Sequence, residues 1–423
     1  MTTEKTIAFF PEASYGAALN CIGIAQALRR MGHKPVFICH PGFSGIFADY
    51  GFPEYPLSDT EEPTDWNDFI ERHQDAFRQP PVDQLDTYIG PTWETIVDTA
   101  IRVEEPLRLL LARLQPDVIA LDNVVMFPAI ANAGAPWVRI VSCAETEIPD
   151  SNVPPYLSGA GENDKNDWDV FSALYKKTVA PTHRRFAAFL NECGVKPPPP
   201  PTFLDASPYL NLLLAPEIIR HERHQPLDPE KFVFLDGCVR NEAPFTPPRF
   251  ANHNDAPLVL VSFGSLGAMD VEMIKRMLSV LSTLPFRFLV NVGHWREEYR
   301  EVPDNVFIDA WFPQPSVVEQ ASLFIHHGGN NSFCEALYFG VPSLVMPYCW
   351  DGHDNAVRAD ETGVGKRLDR YNWSDEELAG AIQSLIRDQK THIRLKANAE
   401  KMRKANGVAR AAQEIVTVAE NHK

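Results

Sequence analysis

No stretch of this chain approaches the roughly 20 consecutive apolar residues that a membrane-spanning helix needs, which argues against an integral membrane protein. Positive charge is scarce: 39 Lys and Arg stand against 56 Asp and Glu, for a formal net charge of −17. Such a balance argues against nucleic-acid and anionic-membrane partners, because overall nothing offsets the phosphates. A local phosphate pocket built from backbone amides and a few side chains stays open to it. Cysteine is sparse and unpatterned. The seven (Cys21, Cys39, Cys143, Cys193, Cys238, Cys334 and Cys349) are odd in number and show neither C-x-x-C nor Cys/His ligand spacing. Neither a disulfide framework nor a metal site is therefore expected. There is no GxxxxGK[ST] loop, and the first apolar run leads into PEASYGAALN rather than G-x-G-x-x-G, so two common nucleotide signatures are missing. Repeats are lacking too. The N terminus, MTTEKTIAFF, has an apolar run too short for a signal segment, and the cytoplasm is the expected compartment.

What is present is an ordinary globular composition, 44% hydrophobic and 22% charged, in a 423-residue chain long enough for two or three cores. An apolar run at 6–10, an amphipathic helix ending at Met31-Gly32-His33 and a second run at 35–38 make a βαβ unit, hence a parallel sheet. The pattern loosens over 57–91. It resumes with a helix at 96–114, a strand at 118–121, a helix at 126–133 and a strand at 137–141. A helix at 168–193 runs into five consecutive prolines, 197–201, which cannot be helix interior. Strands at 209–214 and 232–235 close this half. Residues 241–257, with Pro244, Pro247, Pro248 and Pro257 among polar residues, read as a linker. Alternation then restarts with strands at 258–263, 286–291, 306–309, 323–326 and 343–346, and the chain is helical from Ser374 with a break at Asn406-Gly407. The expected class is α/β, with two doubly wound domains facing across a cleft. The divisions are 1–240, a linker at 241–257, 258–405, and a terminal helix at 406–423 that packs back on the first domain.

One stretch carries most of the chemistry. A strand ends at His326, Gly328-Gly329 permits close backbone approach, and Asn331-Ser332 opens a helix. Free amides and the helix dipole at such a junction favour a phosphate, and His327 can donate to it. The alternative is a capped helix with turning glycines. The neighbouring residues decide between them: PDNVFIDAWFPQ precedes this junction, and HHGGNNSFCEALYFGVPSLVMPYCWDGHDNA contains it.

These pieces, in order, resemble the donor signature of the family 1 glycosyltransferases, the UDP-glycosyltransferase superfamily with the GT-B fold, of bacterial natural-product type. The resemblance implies that Trp311 stacks on the nucleobase, with Gln314 kept at its spacing, and that His327 contacts the diphosphate within a loop completed by Gly329, Asn331 and Ser332. It implies further that Glu335 holds the ribose, that Asp351 and Gly352 border the sugar, and that Gly264 and Ser265 approach the diphosphate. The implied activity is transfer of a sugar from a UDP- or TDP-sugar to a small, hydrophobic secondary-metabolite acceptor, with no metal and no cofactor. Many relatives carry glutamine after the acid, where this chain has Gly352; either a hydrogen-bonding side chain to the sugar is missing, or His353 supplies one from another angle. The DxD-like Asp167-Trp168-Asp169 sits where acids favour a helix start, and metal binding there is not expected.

Transfer also needs a base. The family's histidine in the loop after the first strand falls at Ala17, which cannot accept a proton. Asp122, at the carboxyl end of a strand, is the first candidate, against a mere helix-capping role. Glu12 and Tyr15 are others, and Asn20 is placed to orient the acceptor. Segments 66–77, 88–93 and 142–157, the last with Glu145, Glu147 and Asp150, are candidate acceptor walls. A homodimer is left open. The competing reading is a nucleotide-sugar-binding partner or sensor that has lost transfer.

Overall fold

The computed structural model describes residues 3–57, 66–250 and 254–422. Parts of the loosened stretch (58–65) and of the linker (251–253) lie outside them. The strands are β1 Thr6–Pro11, β2 Lys34–Cys39, β3 Glu54–Pro56, β4 Val118–Asp122, β5 Trp137–Val141, β6 Leu210–Leu213, β7 Phe232–Phe234, β8 Leu258–Ser262, β9 Arg287–Asn291, β10 Val306–Asp309, β11 Leu323–His326, β12 Ser343–Val345 and β13 Gly365–Arg367. The helices of eight or more residues are α1 Tyr15–Arg30, α2 Trp66–His73, α3 Gly90–Leu114, α4 Lys165–Glu192, α5 Val271–Leu281, α6 Asn330–Phe339, α7 Gly352–Glu361, α8 Asp375–Arg387, α9 Gln389–Ala405 and α10 Gly407–Asn421.

Two parallel sheets result, ordered β3-β2-β1-β4-β5-β6-β7 and β10-β9-β8-β11-β12-β13. Strands such as Ile7–Phe10 and Val259–Val261 are apolar at consecutive positions because helices cover both faces, so neither face is free to be polar. Local chemistry sets the helix ends. Ser14 accepts the Ala17 amide to start α1, Ser374 and Glu377 form a reciprocal capping box on α8, and Gly340 (φ 75°) stops α6 in the left-handed region. The terminal helix α10 buries Ala411, Ala412, Ile415 and Val416 with α1 and the strands of the first sheet, and Lys5 Nζ donates to the Ala419 carbonyl at 3.2 Å.

Several boundaries differ from the sequence reading. The helix expected at 126–133 is a single turn, Pro128–Ala131, because Pro128 fixes its start and Gly134 (φ 74°) turns the chain. α3 starts at Gly90, with Pro91 in its first turn, where a missing N–H costs nothing. The short edge strands β3 and β13 lack an apolar run and are defined by pairing with β2 and β12. The C-terminal helical stretch breaks at Asp388 as well as at Asn406.

Each sheet reverses its winding once, between β1 and β4 in the first and between β8 and β11 in the second. The crevice beyond the carboxyl ends of strands at such a point is where open α/β sheets bind ligands. The turns after β8 and β11 carry Gly264 and His327; Glu12 follows β1, and Asp122 is the last residue of β4.

Candidate active site

The second switch point forms a narrow cradle. Gly264 has φ 72° and Gly328 φ 93°, conformations that side chains rarely adopt. The His327 ring lies between two glycines: a Cβ on Gly264 would stand 3.0 Å from its Cε1, and one on Gly329 would stand 2.5 Å from its Nε2. Gly329 precedes α6 and caps it with no side chain. Buried Nδ1 of His327 meets no hydrogen-bond partner among the described residues. Burial first, and then the charge of Arg370, lowers the His327 pKa to about 4, so the ring is neutral at pH 7.

On the outer side, Trp311 is 57% exposed, although it directly precedes the buried Phe312. Along α6, Glu335 is fully buried and fully engaged. Its Oε1 accepts from Arg240 Nη1 at 2.7 Å and Asn331 Nδ2 at 3.1 Å, and its Oε2 from Gln314 Nε2 at 2.6 Å. Gln314 also reaches the Ser332 hydroxyl at 3.0 Å. Ser265 is exposed on the turn after β8.

The first switch point gathers carboxyls. Parallel register pairs Pro11 with Asp122, and the Glu12 amide donates to the Asp122 carbonyl at 2.7 Å. Asp122 is buried; the Ser142 hydroxyl donates to its Oδ1 at 2.6 Å and the Cys21 thiol lies 3.6 Å from Oδ2. Burial pushes its pKa well up, the Ser142 bond opposes, and Glu12 and Glu147 add repulsion. Glu12 is raised to about 7 by burial and by Glu147, which itself pairs with Arg139. Asp122 caps no helix, since the next one starts at Pro128 and Asn123 serves the intervening amides of Val124 and Val125. Asn20 is buried with Nδ2 unpartnered, whereas Tyr15 is half exposed with its ring 5.4 Å from Phe43.

The two halves meet at the start of α7. Asp351 accepts the Ala144 amide at 3.0 Å; burial and then Asp354 raise its pKa to about 7. Asp354 accepts the Thr146 hydroxyl at 2.6 Å and the amides of Leu157 and Gly159, both at 2.8 Å. Trp350, at the left-handed φ of 54°, packs among Trp93 and Tyr156, with ring centroids at 5.8 and 6.2 Å.

Known proteins similar to this chain bear on its fold and class. Residues 276–421 match the family model described as the C-terminal domain of erythromycin biosynthesis protein CIII-like proteins. The chain is 23% identical over 421 residues to the oleandomycin glycosyltransferase of Streptomyces antibioticus, covering 97% of this chain and 91% of that one. It is 31% identical over 208 residues to the NDP-glycosyltransferase YjiC of Bacillus subtilis, 49% of this chain and 52% of that one, so the match spans about half of that relative. Among solved structures, the glycosyltransferase of kitacinnamycin superposes with a TM-score of 0.72 at 22% identity, over 99% of this chain and 100% of that one. VinC, solved in complex with DTDP, gives 0.70 at 17% identity, over 98% and 100%. The relatives and solved structures that it resembles are glycosyltransferases, and its two parallel-sheet α/β units are the GT-B fold.

The departures from the resembled donor signature have physical causes. A Cβ on Gly352 would stand 2.5 Å from the His327 carbonyl oxygen, so the backbone contact between α7 and the glycine turn leaves no room for a glutamine. His353 does not replace it: its Nε2 faces Gln84 Oε1 at 3.3 Å in the other half. Ala17 lies buried in the first turn of α1, its amide bonded to Ser14. Of the wall acids, Glu145 pairs with Arg223 and Asp150 holds the His224 and Gln225 amides, so both serve the loop. Glu147 alone faces the carboxyl pair electrostatically. Asp167 lies in the first turn of α4, and Trp168 Nε1 donates to the Gly161 carbonyl. Among the described residues no helix is long and apolar enough to cross a membrane. Arg240, Ser142 and Asp354 were missed, because nothing in their local sequence signals a partner in the other half.

Proposed function

We propose that the chain transfers a sugar from a UDP- or TDP-sugar to a small, largely apolar natural-product acceptor, with no metal and no cofactor. The observation that carries this reading is the neutral His327 ring held between Gly264 and Gly329 at the side-chain-free start of α6. Amides and an imidazole at a helix start stabilise a diphosphate as it takes up charge on leaving. Trp311 offers a ring face to the base, while Glu335, whose two oxygens are taken by Arg240, Asn331 and Gln314, braces the residues beside it. Asp122, assisted by Glu12, takes the proton of the acceptor while the acceptor atom bonds to the anomeric carbon and the bond to the diphosphate oxygen breaks. The DTDP bound to VinC and the oleandomycin in the name of the Streptomyces antibioticus enzyme support donor and acceptor of this type.

Calorimetric titration of UDP and TDP, with and without EDTA, tests the donor half; binding lost on chelation would overturn the metal-free reading. Incubation with donor sugars and an acceptor library, read by mass spectrometry, tests transfer. Tight nucleotide binding with neither donor hydrolysis nor glycosylated product would instead support a binding protein.

A further inference from the structure

Arg370, in the turn between β13 and α8, is 2% exposed and among the largest fully buried side chains. Its guanidinium lies over three rings, with Cζ 4.4 Å from the centroid of Phe263, 4.8 Å from that of Tyr348 and 5.6 Å from that of Tyr371. Nη2 donates to the Gly267 carbonyl at 2.9 Å, while Nε and Nη1 meet no hydrogen-bond partner among the described residues. The carboxylate paired with it, Asp270, stands 3.8 Å from Nε and also accepts the Met273 amide at the start of α5. From the first domain, Asp75 and Arg78 reach the same small cavity, of about 50 Å³. That volume has room for water, which can satisfy the free N–H groups but brings no charge. A buried cation is stable only when charge compensates it, and here the compensation is partial.

Its position says what completes it. Phe263 and Gly267 bracket the turn that carries Gly264 and Ser265. The Tyr348 ring that stacks under Arg370 also neighbours His327, at 5.3 Å between centroids. Arg370 therefore lies one aromatic ring behind the imidazole of the cradle. Its field already reaches that imidazole, where it adds to burial in keeping the ring neutral.

We infer that Arg370 is a buried counter-charge for the donor's diphosphate, a positioning residue that acts through the turn 263–267 and the Tyr348–His327 stack without touching the donor. This rests on the reading of the cradle as a diphosphate site. At a separation of one ring, in a poorly screened interior, such a charge acts strongly on an anion.

The test compares TDP with thymidine, and UDP with uridine, by calorimetry on the wild type, Arg370→Met and Arg370→Lys. Met keeps the stem and removes the charge. The expected result is a loss of diphosphate affinity on the order of tenfold in Arg370→Met, with nucleoside affinity unchanged. Arg370→Lys should keep most of the diphosphate preference, although it gives up the planar stack. Equal loss for nucleoside and diphosphate, or an undiminished preference in folded Arg370→Met, overturns the inference. If the Met variant does not fold, a Lys variant that has lost the preference overturns it as well. A wild type that does not prefer diphosphate over nucleoside removes the diphosphate reading itself, and the inference with it.

Discussion

Arg240 Nη1 donates to Glu335 Oε1 at 2.7 Å, tying the chain that leaves the first domain to the helix that starts at the cradle. Both side chains are almost wholly buried, and Arg240 also pairs with Glu242. Removing one partner of such a pair leaves the other charged in a dry interior. Arg240→Met is expected to lower stability by about 3–5 kcal/mol, read by chemical denaturation. The double change with Glu335→Leu should recover much of that loss, since an apolar pair has no charge to desolvate. No recovery would mean that Arg240 works through Glu242 instead.

Asp122→Asn is expected to reduce turnover by roughly two to four orders of magnitude, the usual worth of a general base. Nucleotide affinity should hardly change, because Asp122 belongs to the other sheet. Asn still accepts the Ser142 hydroxyl, so the fold is kept while the proton acceptor is lost. Normal turnover in this variant would assign the proton to another group.

The coupling of Glu12 to Asp122 gives a pH signature. A base works only when ionised, and Glu12, raised to about 7, holds its proton until near neutrality. With Asp122 itself raised well above the usual carboxylate range by burial, kcat/KM should fall in the wild type as pH drops through that raised pKa. Glu12→Gln removes one repelling carboxylate, which lets Asp122 ionise more readily, so the inflection should move to lower pH. A profile that does not move would place Glu12 outside the proton-transfer unit.

Trp311→Ala should weaken UDP or TDP binding by about 1–3 kcal/mol, the range for a base stacked on an aromatic ring. Because the side chain is 57% exposed and meets no other ring among the described residues, the melting temperature should stay where it is. Fluorescence titration measures the first effect and calorimetry of the free protein the second. A lowered melting temperature with unchanged affinity would make Trp311 a packing residue.

The sequence by itself determined the α/β class and the glycine turn between β11 and α6. Parallel strands covered on both faces must be apolar at consecutive positions, and a glycine pair between strand and helix has few other uses, so both leave local marks. Only the tertiary structure decided which loops become neighbours. Strand order sets Glu12 beside Asp122 and Gly264 beside His327, although each pair is distant in the chain. It also decided that Gly352 admits no side chain, that His353 turns to Gln84, and that Arg370 lies behind the cradle. Periodicity reports how deeply a residue is buried, and says nothing of which distant residue meets it there.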